Sequence, residues 1–142
     1  VSCLRLFTVY GPRQRPEMAV HKFAKLIDDG GELPVFGNGT SRRDYAYVDD
    51  VVDGISKALG TRFDFEILNI GSSTTIELRC LISLIEESLG KKARIRQLPK
   101  MPGDVPVTYA DISKSRRLLG YSPRISIEEG IRRFVEWYKE MR

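Results

Sequence analysis

The chain begins Val1-Ser2-Cys3-Leu4-Arg5-Leu6-Phe7-Thr8-Val9, a run in which apolar side chains succeed one another with little alternation. A strand that faces water on one side alternates apolar with polar residues. A near-continuous run is the pattern of a strand covered on both faces, as in a parallel sheet. Such a strand needs neighbours, so the run commits the chain to an α/β arrangement, and a chain cut in mid-fold, with neighbours upstream of Val1, is the expectation.

The remaining sequence supplies the alternation. β-like runs at 33–36, 45–48, 66–70 and 93–98 lie between helical patterns at 18–29, 48–59, 76–89 and 113–119. Each helical pattern stops at glycine, namely Gly30, Gly60, Gly90 and Gly120, and each glycine reads as a left-handed cap. Thr74-Thr75-Ile76-Glu77 and Ser126-Ile127-Glu128-Glu129 have the spacing of capping boxes. The third helix then aligns Leu78, Ile82, Ile85 and Leu89, and a fifth aligns Ile127, Ile131, Phe134, Tyr138 and Met141. No linker divides the chain, so residues 1–142 read as one α/β domain.

Composition removes several function classes. With 142 residues, 42% hydrophobic and 30% charged, the chain has the make-up of one soluble domain. No stretch approaches the roughly 18 apolar residues of a membrane span, and no basic-then-apolar leader opens it, so no membrane partner and a cytoplasmic location are expected. Cys3 and Cys80 each sit in apolar patterns without a partner at motif spacing, which reads as two small core residues and neither a disulfide nor a zinc site. A single histidine, His21, rules against multi-histidine metal sites and Ser-His-Asp chemistry, and His21 itself is assigned no catalytic role. Residues 91–142 hold thirteen Lys or Arg against six Asp or Glu. The pairs Arg116-Arg117 and Arg132-Arg133 fall on amphipathic helices, so this excess reads as solvated faces, with no nucleic-acid partner.

Chemistry concentrates in the loops. Gly11-Pro12-Arg13-Gln14-Arg15-Pro16 fixes two arginines between prolines, which suits anion selection or simply a rigid basic turn. Gly37-Asn38-Gly39 is a Gly-x-Gly without a third glycine opening a helix, and reads as a turn. Arg42-Arg43-Asp44 enters a strand, so that one arginine can face a cleft and meet a diphosphate, while Asp44 orients it or caps the helix that follows Asp49-Asp50; a surface ion pair is the plainer alternative. Phe36 can offer a face to a planar base or be core, and Asp104 after Pro102-Gly103 can accept from sugar hydroxyls or be a turn residue.

Taken together, the segments 5–16, 36–39, 43–50, Asn69-Ile70-Gly71 and Pro102-Gly103-Asp104 resemble the extended short-chain dehydrogenase/reductase family of NAD-dependent nucleotide-sugar epimerases and dehydratases. The first loop is most similar to that of UDP-glucuronate 4-epimerases. The resemblance implies a Rossmann-type fold with small mixed sheets and helices, of which this chain is the carboxyl-terminal, substrate-binding portion. It implies a UDP-sugar ligand, NAD in the full-length parent but none bound by this chain alone, an amino-terminal NAD-binding half as partner, and a homodimer of the full enzyme. Thr8 takes the place of a sugar contact, Arg15 that of the residue near the sugar carboxylate, and Met18 and Ala19 that of the helix start beside the nucleotide. Phe36 takes the place beside the uracil, Arg43 that on the diphosphate, and Asp104 that of a ribose contact. Met101 stands where many relatives carry a second phosphate arginine.

The family's reaction is reversible hydride transfer at C4, with a tyrosine base in a Tyr-x-x-x-Lys motif. None of the six tyrosines here has lysine four residues on, and no glycine-rich dinucleotide fingerprint is present. The expectation is a UDP-hexose or UDP-uronate binding half of a 4-epimerase, inactive alone and with no catalytic residues. A portion of a nucleotide-sugar dehydratase, or a standalone module whose first strand pairs with a partner, are the alternatives.

Overall fold

The computed structural model describes all residues, Val1 to Arg142. The opening run forms two strands, β1 (Ser2–Leu6) and β2 (Thr8–Tyr10), which pair in parallel with different partners. β1 lies beside β6 (Glu66–Ile70), and β2 beside β5 (Tyr45–Tyr47). The change happens at one peptide: Phe7 N donates to Ile70 O at 3.0 Å, and Thr8 N to Asp44 O at 3.3 Å. Successive amides of an extended chain point to opposite edges, so the two partners flank one continuous strand on opposite sides. The edge of β1 away from β6 has no strand beside it.

This explains why the first run is less buried than its composition suggests. Only Tyr10 of β1 and β2 is buried, and Leu6 is exposed. Cys3 is exposed too, because it shares the outward face of the β1–β6 pair with Ile67, which is likewise exposed. Cys80 is also exposed. It lies on α3 (Leu78–Leu89) while Leu81, Ile82, Ile85 and Leu89 form that helix's buried stripe. The expectation of two core cysteines is therefore corrected at both positions.

The other elements are α1 (Ala19–Asp28), β3 (Glu32–Phe36), β4 (Arg42–Arg43), α2 (Val48–Gly60), β7 (Ile76–Glu77), β8 (Arg94–Leu98), α4 (Ser113–Leu119) and α5 (Ile127–Glu140). β3 pairs in parallel with β8, and β4 antiparallel with β7. Gly30, Gly90 and Gly120 do adopt positive φ, whereas Gly60 is the last residue of α2 and Thr61 caps that helix in an extended conformation. Thr74 to Glu77 is not a capping box: Ile76 and Glu77 are held in the ladder with β4, which delays the helix to Leu78. Ser126 does cap α5, its side chain accepting from Glu129 N. On α5 the stripe Ile131, Phe134 and Tyr138 is buried, while Met141 beyond the helix end is exposed.

Two apolar clusters result. α1, α3, α5 and β3 enclose the larger, and α2, α4 and β6 the smaller. β5 serves both by strand alternation, Tyr45 and Tyr47 facing the first and Ala46 the second. Tyr10 reaches across the larger cluster toward Ser126 O, passing so close to α5 that a Cβ on Gly130 would lie 1.9 Å from its hydroxyl. No helix is long and apolar enough to cross a membrane.

Candidate functional site

β3 buries Leu33 and Val35 and turns Glu32, Pro34 and Phe36 the other way. Phe36 is therefore 41% exposed and belongs to no core. β4 runs nearby, and the segment after β8 is drawn to it: Arg42 N donates to Pro106 O at 2.8 Å and Thr108 N to Arg42 O at 3.0 Å. These bonds bring the Pro102-Gly103-Asp104 turn to Arg43. Arg43 Nη2 lies 2.6 Å from Asp104 Oδ1, and Nη1 donates to Arg42 O at 2.9 Å. Phe36, Arg43 and Asp104 line one hollow of about 220 Å³, with Lys22 and Phe23 of α1 on its wall. Phe36, Ser41 and Asp104 also border an adjoining hollow of about 300 Å³, where Lys100 and Asn38 lie.

The partner of Arg43 is Asp104 and not Asp44. Neighbouring residues of an extended segment face opposite ways, and Asp44 points inward, fully buried, accepting from Ser72 N, Ser72 Oγ, Ser73 N and Ala110 N at 2.7 to 3.0 Å. The turn reading of Asp104 holds. Asp104 N closes the turn on Met101 O at 3.2 Å, with Gly103 at φ +81°, and the carboxylate that follows faces the arginine. The Arg43 side chain is 24% exposed and that of Asp104 37%. A partly hydrated pair of this kind contributes at most about 1 kcal/mol, so an incoming anion can displace the carboxylate at small cost.

A second hollow, of about 710 Å³, is lined by Thr8, Arg13, Arg15 and Met18 together with their neighbours from Leu6 to Gln14. Arg15 is held loosely, its side chain 75% exposed and its Nε 3.4 Å from Glu17 Oε1. Ala19 lines neither hollow. It begins α1, whose start meets the second hollow at Met18 and whose next turn meets the first at Lys22 and Phe23. The sequence-expected residues thus fall into two groups, Phe36, Arg43 and Asp104 in one and Thr8, Arg15 and Met18 in the other, connected by α1. That helix carries no acidic residue in its first turn and no side-chain cap from Met18; the amide of its third residue, His21 N, is met instead by Gln14 Oε1 at 3.1 Å.

Sequence reasoning did not anticipate Lys100 or the left-handed Arg13, at φ +65°. A lysine in a polar loop gives no signal of its own, and a positive φ at a residue other than glycine has none. Burial raises the hydroxyl pKa of Tyr10, Tyr45 and Tyr121, that of Tyr45 to about 12 despite the nearby Arg43, so these three do not serve as bases near neutral pH. No three His, Cys, Asp or Glu side chains are grouped to hold a metal ion.

Short strand pairs, three of them parallel, joined through helices and bordered by cationic loops make this a mixed α/β chain of the Rossmann-type class. Residues 1–71 match the NAD dependent epimerase/dehydratase family, and the chain belongs to that family. An uncharacterized protein of Methanocaldococcus jannaschii is 52% identical over 96% of this chain and 42% of its own length. The UDP-glucuronate 4-epimerase of Thermodesulfobacterium geofontis is 43% identical over 99% of this chain and 43% of its own length. The crystal structure of Bacillus cereus UDP-glucuronic acid 4-epimerase in complex with UDP-glucuronic acid and NAD superposes with a TM-score of 0.90 at 39% identity, covering 98% of this chain and 45% of that one. The chain spans less than half the length of these relatives, as the carboxyl-terminal portion of an extended short-chain dehydrogenase/reductase epimerase.

Proposed function

We propose that the chain is the UDP-sugar-binding half of an NAD-dependent 4-epimerase acting on UDP-uronates or UDP-hexoses, forms one domain over residues 1–142, and is inactive by itself. The observation that carries this reading is that Phe36, Arg43 and Asp104, distant in sequence, border one hollow. There Phe36 lies against the uracil, Asp104 accepts from ribose hydroxyls, and Arg43, released from Asp104, donates two parallel bonds to the diphosphate. The start of α1 at Met18 and Ala19 adds the positive end of a helix dipole, which favours the same negative charge. The sugar extends to the second hollow, where Thr8 meets it and Arg15 meets a C6 carboxylate.

NAD does not fit the residues of this chain. Its Gly37-Asn38-Gly39 turn leads to β4 rather than to a helix, and Asn38 Oδ1 is taken by Thr40 N and Oγ1. NAD and the reacting groups therefore belong to an amino-terminal half, which docks along the free edge of β1 in a cytoplasmic, homodimeric parent.

Calorimetric titration with UDP and UDP-glucuronate, with and without the upstream half, tests the reading. Binding of UDP is expected, and absence of binding even with both halves present rejects it. In the parent enzyme, Arg15→Ala is expected to raise the KM for UDP-glucuronate by about tenfold or more while changing that for UDP-glucose far less, as loss of a charge-assisted hydrogen bond implies. Equal losses remove Arg15 from the carboxylate.

A further inference from the structure

We propose that Gln14 and His21 are positioning residues that lock the Gly11–Pro16 loop and so hold the Arg15 guanidinium over the Thr8 hollow, setting the preference for a charged sugar. This deepens the functional reading above and rests on it.

Gln14 sits between the two arginines with both ends of its amide engaged. Nε2 donates to Val9 O at 2.9 Å, fastening the loop back to β2. Oε1 accepts from His21 N at 3.1 Å. His21 is the third residue of α1, and its amide is one of those a capping side chain would ordinarily satisfy. Met18 offers no such cap, so the loop itself caps the helix through Gln14. The return contact comes from the imidazole: His21 Nδ1 lies 2.6 Å from Gln14 O. A carbonyl oxygen only accepts, so Nδ1 carries the hydrogen and the tautomer is fixed by this bond.

The ring is oriented from the other side by α5. It meets Phe134, Trp137 and Tyr138 near edge-on, with centroids 5.7, 5.8 and 5.8 Å away. The resulting series of contacts runs from α5 through His21 and Gln14 to the loop. The same loop holds Arg13 at φ +65°, a conformation that an arginine keeps only where its surroundings impose it. Arg15, one residue beyond Gln14, has for its opposite charge only the exposed Glu17. Its Nη2 also approaches Met18 Sδ at 3.8 Å, so its direction is set by the start of α1 and by the backbone that Gln14 and His21 hold. The Phe36, Arg43 and Asp104 hollow shares no lining residue with the loop, so the bracket acts on the sugar end alone.

The test compares dissociation constants for UDP, UDP-glucose and UDP-glucuronate in the intact parent enzyme and in Gln14→Met, His21→Leu and His21→Asn. The wild type is expected to prefer UDP-glucuronate over UDP-glucose. Gln14→Met and His21→Leu are expected to reduce that preference about tenfold, as misplacement of a binding group does, while UDP affinity stays within about twofold and shows that the protein is folded. Asparagine presents an N–H where Nδ1 stood, so His21→Asn is expected to restore most of the preference. An unaltered preference in the variants, a parallel loss for all three ligands, His21→Asn no better than His21→Leu, or a wild type without the preference overturns the proposal. Failure of the wild type to bind UDP at all overturns the functional reading and this inference together, whereas retained UDP binding with an unaltered preference overturns this inference alone.

Discussion

Asp44 and Arg43 show how one residue of register separates a buried carboxylate from an outward-facing arginine. The Asp44 carboxylate is sealed in a nest of backbone N–H groups from Ser72, Ser73 and Ala110 and the Ser72 hydroxyl. An asparagine there keeps one acceptor and turns an N–H2 toward a buried donor. Asp44→Asn is therefore expected to destabilise the fold by about 3 kcal/mol, read as a lower urea midpoint. Arg43, facing out from the adjacent position, makes only a half-hydrated pair. Sequence alone suggested that Asp44 orients the arginine, because the two are neighbours in the chain. The alternation of an extended backbone sends them apart, and the partner arrives from sixty-odd residues away through β4 and the 106–108 segment.

Helices were legible from apolar spacing and glycine stops, since both are local. α4 and α5 fall where the pattern puts them. The two-residue ladder of β4 and β7 was not legible: nothing in Ile76-Glu77 distinguishes a helix start from a strand until Arg42 and Arg43 lie beside it. α5 carries two expected outcomes. Gly130→Ala places a methyl where the Tyr10 hydroxyl passes. The clash costs about 1 to 3 kcal/mol against a propensity gain of about 1 kcal/mol, so thermal unfolding should show a net loss. Glu129 in the first turn has its carboxyl pKa lowered to about 2, by hydrogen bonds from Arg132 and Arg133. A depressed folded-state pKa stabilises above the ordinary value near 4.5 and loses that contribution as pH falls toward 2. Carbon-detected NMR should find the midpoint near 2, and Glu129→Gln should flatten the stability change over that interval.

At the scale of the molecule, the hollow assembled from positions 36, 43 and 104 was legible only through resemblance, because no local pattern announces that three turns converge. The outward face of β1 and β6 gives the proposed amino-terminal half a readout. In the chain alone Cys3 is exposed, and alkylation followed by mass spectrometry should label both Cys3 and Cys80. In the proposed parent, an amino-terminal half that continues the sheet from the free edge of β1 also covers its outward face, so Cys3 labelling should slow strongly while Cys80 labelling persists; equal labelling of both would place that half elsewhere. The ladders themselves carry one more consequence. Ser2 pairs with Glu66 and Glu32 with Arg94, so no strand of the parallel pairs has its partner in a neighbouring hairpin. At ribosomal rates of roughly 5 to 20 residues per second, the first strand waits for seconds before the segment that completes it has been synthesised. A nascent chain of this design stays sticky throughout that interval, and its yield in cells should depend on chaperone supply more than on the strength of any single contact.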